Sequence, residues 1–119
     1  MIKNFKKLDI WKRSRFFVKT LYLATNKFPK EEKFGLASQL RRAAVSVPSN
    51  IAEGCGRKTE KALSNFLDHA IGSNCEVEIQ LFLAYDLQMI DETTTRQLID
   101  EIIQIRRMII GYQKTLKTE

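Results

Sequence analysis

The sequence predicts an all-α protein folded as an antiparallel up-and-down four-helix bundle. Three observations carry that expectation. Apolar residues recur at helical spacing over long runs, the connections between those runs are short and marked by capping residues, and the 119 residues hold only two prolines and five glycines. That is too little turn chemistry for a loop-rich or all-β chain, and too little for disorder. With 44% hydrophobic residues the chain can fill one continuous core, and no linker or low-complexity stretch divides it, so residues 1–119 read as a single domain.

The first helix is expected from about Leu8 to Lys27, with Trp11, Val18 and Leu21 as its core stripe. It should stop before Phe28-Pro29, because proline disfavours helical geometry in the residue that precedes it. A second helix starts near Pro29, a suitable first-turn residue, with Glu31 and Glu32 complementing the helix dipole. Leu36, Leu40, Ala44, Val47 and Ile51 form its inner face, and Gly54-Cys55-Gly56 supplies the stop. Pro48 removes one backbone hydrogen bond, which predicts a kink or break near Val45–Val47. Thr59 caps a third helix reaching about Met89, whose seam runs Leu63, Leu67, Ala70, Asn74, Val77, Leu81 and Ala84. Asn74 is its one polar member, a residue type that costs stability but can fix register. Asp91 caps a fourth helix reaching about Leu116, with Leu98, Ile102, Ile105, Ile109, Tyr112 and Leu116 stepping by three and four.

More apolar surface remains than these seams use. Ile99, Ile103 and Ile110 form a second stripe on the fourth helix, and Phe66, Phe82, Tyr85 and Met89 lie beside the seam of the third. Phe16 and Leu23 share an arc of the first helix with Lys12, Arg15 and Lys19. Apolar patches left on a bundle mark interfaces. Phe16, Leu23, Ile99, Ile103 and Ile110 are therefore expected to form an oligomer interface between copies of the chain.

Charge is distributed unevenly. The net charge is +6, and residues 1–30 contain nine Lys or Arg against one acid, Asp9. A basic segment on a near-neutral body suits a polyanion, because each cation that neutralises a phosphate releases counterions. The competing reading is a solvated face that keeps a bundle soluble. No apolar run is long enough to span a bilayer, and the start Met1-Ile2-Lys3-Asn4-Phe5-Lys6-Lys7 lacks the apolar stretch of a signal peptide. Two cysteines without a secretion signal read as free thiols, which predicts a cytoplasmic protein and no membrane role.

Residues 35–54, Gly-Leu-Ala-Ser-Gln-Leu-Arg-Arg-Ala-Ala-Val-Ser-Val-Pro-Ser-Asn-Ile-Ala-Glu-Gly, resemble the signature of the four-helix bundle proteins encoded in intervening sequences of bacterial 23S rRNA genes. The resemblance extends to Leu8 and Trp11, to Phe28-Pro29, and to Ala70-Ile71-Gly72-Ser73 with Glu76 and Glu78. It implies an up-and-down bundle with relatives that assemble as homopentamers. A related group, the accessory protein of diversity-generating retroelements, binds nucleic acid through a basic surface and partners a reverse transcriptase. The 23S rRNA group itself has no agreed biochemical function.

Read on their own, Gln39, Arg41, Arg42, Asn50 and Glu53 are polar groups on the second helix, and Glu76 and Glu78 interrupt the third. Arg–carboxylate pairs inside a bundle are bidentate and demanding of geometry, so these residues are expected to form a structural ion-pair and polar network, internal or between subunits. The alternative makes Arg41 and Arg42 phosphate contacts and the glutamates metal ligands. Di-metal bundles use Glu-x-x-His on two helices, and His69 is the only histidine, so no metal or other cofactor is expected. Asp68 and His69 are adjacent and project about 100° apart on a helix. Cys55 and Cys75 lack Cys-x-x-Cys spacing, and no Gly-x-Ser-x-Gly turn is present. No catalytic residue is assigned, and the chain is not expected to be an enzyme. Gly54-Cys55-Gly56-Arg57-Lys58-Thr59 could cradle a phosphate on backbone N–H groups, although a plain connecting turn explains it too.

The expectation is a basic homo-oligomeric bundle that binds RNA or DNA with little sequence preference. Lys3, Lys6, Lys7, Lys12, Arg13, Arg15, Lys19, Arg57 and Lys58 would contact the backbone, and Phe16 would stack on an unpaired base or pack against a neighbouring subunit. The competing class is an oligomeric scaffold that docks a protein partner and has no direct nucleic-acid role.

Overall fold

In the computed structural model, which describes residues 2–118, four helices run antiparallel along a body with extents of 46 × 23 × 21 Å. They are α1 (Asp9–Thr25), α2 (Leu36–Cys55), α3 (Glu60–Asp86) and α4 (Glu92–Gln113). α1 packs on α2 and α4, and α3 packs on the same two, which makes a closed ring of four around one core. A short 3-10 turn, Phe5–Lys7, precedes α1 and touches both α1 and α2.

The seams of α2, α3 and α4 lie where the spacing puts them. Leu40, Val47, Ile51, Leu63, Leu67, Val77, Leu81, Ile102, Ile105 and Ile109 are fully buried. Each such side chain contributes about 1.5–3 kcal/mol on leaving water. Asn74 is fully buried among them, and its Nδ2 donates to the Ile102 carbonyl across the α3–α4 seam (2.8 Å). Its Oδ1 has no hydrogen-bond partner. The caps also hold: Thr59 Oγ1 accepts from Ala62 N (3.1 Å), and Asp91 Oδ1 accepts from Thr94 N (2.7 Å). That second bond, with the one from the Thr94 hydroxyl, keeps the Asp91 carboxyl below its usual pKa.

Three expectations need correction. The core stripe of α1 is Ile10, Ser14, Phe17, Leu21 and Thr25, while Trp11 and Val18 are only half-buried. The buried arc is rotated by one residue because two small hydroxyl residues belong to it. Ser14 and Thr25 satisfy their hydroxyls on the carbonyls of Trp11 and Leu21, so they enter the core at little cost. Second, α2 begins at Leu36 rather than near Pro29. Residues 30–32 form a separate 3-10 turn, and Glu32 Oε1 accepts from Leu36 N (2.9 Å), capping α2 from outside it. Third, α2 continues unbroken through Pro48. Val47 and Ile51, both buried, clamp the chain on either side of the proline, so the interruption falls instead at exposed Lys33-Phe34.

α2 and α3 approach closely at one end. A Cβ on Gly54 would lie 2.7 Å from Leu63 Cδ1, 2.8 Å from Phe66 Cβ and 3.3 Å from the Leu63 carbonyl oxygen. The α3–α4 turn is closed by Gln88 at φ 60°, with Met89 N donating to the Ala84 carbonyl (2.9 Å). That is the left-handed helix stop usually given to glycine.

Candidate nucleic-acid interface

Basic residues distant in sequence meet at one end of the bundle. Lys3 N donates to the Cys55 carbonyl (2.9 Å), Lys3 Nζ lies 3.7 Å from Glu60, and Lys117 N donates to Glu60 Oε2 (2.8 Å). These bonds tie the N-terminal segment, the α2–α3 turn and the C-terminal tail together. Lys3, Lys6, Lys7, Arg57, Lys58, Lys61, Lys114 and Lys117 therefore share one end, with Asp9, Glu53 and Glu60 as the acids nearby in the chain. Asp86, Asp91 and Glu92 crowd the opposite end, where Asp91 feels Lys27. Lys61, Lys114 and Lys117 were not singled out from sequence, because only the antiparallel closure brings them beside the N-terminal basic run.

The expected contact residues separate into two groups. Lys6, Lys7, Lys12, Arg15 and Lys19 are exposed and make no ion pair among the described residues. Arg13 is turned toward α4 instead. Its Nη2 and Nε reach Glu101 at 2.6 and 3.1 Å, and its Nη1 reaches Met108 Sδ at 3.4 Å. The pairing is bidentate and stitches α1 to α4, so Arg13 is a structural residue rather than a free phosphate contact. Lys3 is likewise engaged by Glu60. In the turn at residues 54–59, Gly56 N and Arg57 N donate to the Glu53 and Gly54 carbonyls rather than pointing free, and the Arg57 guanidinium stacks on Phe66 at 4.6 Å.

The polar residues of α2 and α3 do not form one network within the chain. Arg41 faces α1, donating from Nε to Thr25 Oγ1 and from Nη2 to Asn26 Oδ1 (both 2.8 Å), with its guanidinium 4.4 Å from the Tyr22 ring. Glu78 pairs with Arg106 of α4, which also donates to Cys75 Sγ (3.0 Å). Glu76 accepts from Gln80, while Asn50 donates to Ser46, whose hydroxyl accepts from Ser73 (2.8 Å). Gln39, Arg42 and Glu53 are exposed. Arg41 and Glu78 sit on helix faces that look toward different neighbours, so α4 supplies the cation for Glu78. Among the described residues, no three His, Cys, Asp or Glu gather as a metal site.

Residues 6–111 match the 23S rRNA-intervening sequence protein family. The chain belongs to that family. A solved structure from the S23 ribosomal protein family, a protein of unknown function from Bacteroides thetaiotaomicron, superposes with a TM-score of 0.79 at 19% identity, covering 88% of this chain and 98% of that one. That likeness shows a shared fold. No curated protein matches the chain. The family and the neighbour indicate no catalytic activity, and no helix of the described residues is long and apolar enough to cross a membrane.

For a 23S rRNA-intervening sequence protein, the expected oligomer surface also needs revision. Ile99 is 8% exposed and lies in the chain's own core, and Ile103 packs against that core. Ile110 is half-buried. α4 presents a wide face because it must fill the space between α1 and α3, so Ile99 and Ile103 of its second stripe are used at home. Phe16 and Leu23 remain 67% and 61% exposed, and they line a groove with Lys27, Thr94 and Glu101 between α1 and α4. Of the apolar residues expected beside the α3 seam, Phe82 and Tyr85 are exposed, and Ile79, Leu83 and Leu87, which were not singled out, are exposed with them on the last two turns of α3 and just beyond. The four-residue step of Ile79, Leu83 and Leu87 was a readable signal for this patch.

Proposed function

We propose that this chain is a non-enzymatic, cytoplasmic, homo-oligomeric bundle that binds the backbone of RNA or DNA with little sequence preference. The observation that carries the reading is the basic end. Cations from the N-terminal segment, the α2–α3 turn and the C-terminal tail converge there, and Lys12, Arg15 and Lys19 extend the field along α1. Surface cations gathered in one place contribute little to folding and much to polyanion attraction.

Self-association is supported by two complementary surfaces. The α1 stripe of Phe16 and Leu23 is flanked by Lys12, Lys19 and Lys27. The α3–α4 groove is lined by Phe82, Tyr85, Asp86, Glu92, Arg96, Ile99 and Asp100, apolar with a mostly acidic rim. Unlike surfaces that fit each other join copies head to tail and close into a ring when the rotation allows, and a pentamer is the ring implied by the resemblance.

The test is retention of a labelled single-stranded oligonucleotide at two salt concentrations. Binding weakens steeply with salt, and charge reversal at Lys12, Arg15 and Lys19 abolishes it. Replacing Lys6 and Lys7 by Gln lowers the salt slope by about 1.4, roughly 0.7 for each lost phosphate contact. Absence of salt-sensitive retention at low ionic strength refutes the reading. The exposed apolar patch at the end of α3 favours a second reading, a scaffold that docks a protein partner. Recovery of one stoichiometric protein after nuclease treatment, with no oligonucleotide retention, would select it.

A further inference from the structure

We infer that the groove between α1 and α2 takes an unpaired base of a single-stranded polynucleotide, with Trp11 as the stacking platform. This rests on the nucleic-acid reading above and goes beyond it, because backbone attraction alone requires no base. The groove has a volume of about 380 Å³ and is lined by Phe5, Trp11, Arg15, Val18, Val45, Pro48, Ser49 and Ala52. No carboxylate is among those residues. The Trp11 indole meets Phe5 edge to face with centroids 4.9 Å apart, and the Arg15 guanidinium lies 5.3 Å from its ring centre. An aromatic face partnered by an arginine plane is what a base stacks on without regard to its identity.

The surroundings select a polyanion over an apolar partner. Arg15 and Tyr22 are two turns apart on the same face of α1, and Tyr22 is covered by Arg41 from α2. A second aromatic–arginine pair, Tyr22 with Arg41, thus lies further along the α1–α2 seam, beyond Trp11 with Arg15. Lys6 and Lys7 follow Phe5 in the chain and are exposed, and Arg42 is exposed one turn before Val45 on the α2 wall. A strand following the groove meets cations along its backbone and a ring beneath its base. Pro48 adds an uncharged apolar ring to the α2 side of the groove.

Trp11 is the only tryptophan, so its emission reports on this groove alone. The intact protein is titrated at low salt with a twelve-residue oligouridylate and with an abasic oligonucleotide of the same length and charge. The base-bearing strand quenches Trp11 emission and binds on the order of tenfold more tightly than the abasic strand. Ser49→Leu, at an exposed wall position, fills the groove without changing charge and brings that ratio to about one. Trp11→Leu does the same, and the Ser49 variant keeps the test valid if loss of the indole also loosens the fold. Equal binding of both strands with unchanged emission overturns this inference and leaves backbone binding standing. Binding of neither strand overturns both.

Discussion

One chemical change, glycine to alanine, should have opposite effects at three places in this bundle. Gly54, Gly72 and Gly111 all lie inside helices. A Cβ at Gly72 or Gly111 meets nothing within 4 Å, and both positions are exposed. Alanine there gains helix propensity and nothing else, about 0.8–1.0 kcal/mol at Gly72 in the middle of α3 and less at Gly111, two residues from the end of α4. For a chain of this size the gain at Gly72 raises the melting temperature by about 3–5 °C. At Gly54 the same methyl would sit 2.7 Å from Leu63 Cδ1 and 2.8 Å from Phe66 Cβ. Leu63 is fully buried and cannot swing away, and Phe66 Cβ is fixed to the α3 backbone. α2 and α3 must therefore part locally, at the usual cost of overpacking, about 1–3 kcal/mol. Helix propensity offsets less than usual there, because Gly54 is one residue from the end of α2. Urea denaturation of the three variants gives the differences directly. A Gly54→Ala protein as stable as the parent would refute the close-approach argument. A Gly72→Ala protein that loses stability would show that another surface comes against that face.

Three further outcomes follow from the same geometry. Gln88→Gly relieves a left-handed residue at the end of α3 and should raise stability by about 0.5–1 kcal/mol in the same assay, whereas a loss would mean that the Gln88 side chain stabilises the turn. Burial pushes the Cys55 thiol above its usual pKa, so its contribution to folding is whole below about pH 8.5, the unfolded thiol's value, and is lost as pH rises through the folded value. Chemical denaturation at pH 7, 9 and 10 should show that decline, reduced in Cys55→Ala. Asn74→Leu removes a buried oxygen without a partner and should stabilise the bundle by about 1 kcal/mol, and a clear loss would show that the bond to Ile102 outweighs it.

The helices were legible because their seams are nearly pure. Leu63 to Ala84 and Leu98 to Ile109 repeat at three and four, and Thr59 and Asp91 cap as their residue types require. α1 was misread by one residue, since Ser14 and Thr25 look like surface residues until their hydroxyls are seen bonded back into the helix. Pro48 predicted a break that packing by Val47 and Ile51 overrides. The basic face was only half legible. Lys6, Lys7, Lys12, Arg15 and Lys19 could be read from the N-terminal run, but Lys114 and Lys117 join them only through the fold. Arg13 looked identical to Arg15 in sequence. Its pairing with Glu101, 88 positions away, depends on which side of α1 turns toward α4. The same limit hid the groove beside Trp11, which needs two helices and the Phe5–Lys7 turn to exist at all.

The bundle's lengthwise asymmetry has a consequence for how copies can usefully be arranged. A rod 46 Å long with a strong excess of lysines and arginines at one tip, and Glu31, Glu32, Asp86, Asp91 and Glu92 outnumbering Lys27, Lys30 and Lys33 at the other, behaves as a compass needle in an electric field. Needles laid side by side in the same sense add their moments and present a single positive plate. Needles laid in opposite senses cancel, leaving a barrel with no preferred pole. A cyclic axis running along the rods gives the first arrangement, and a two-fold axis across them gives the second. The symmetry of association thus sets whether an approaching chain of phosphates is turned and held at one pole or meets positive charge spread evenly along the barrel.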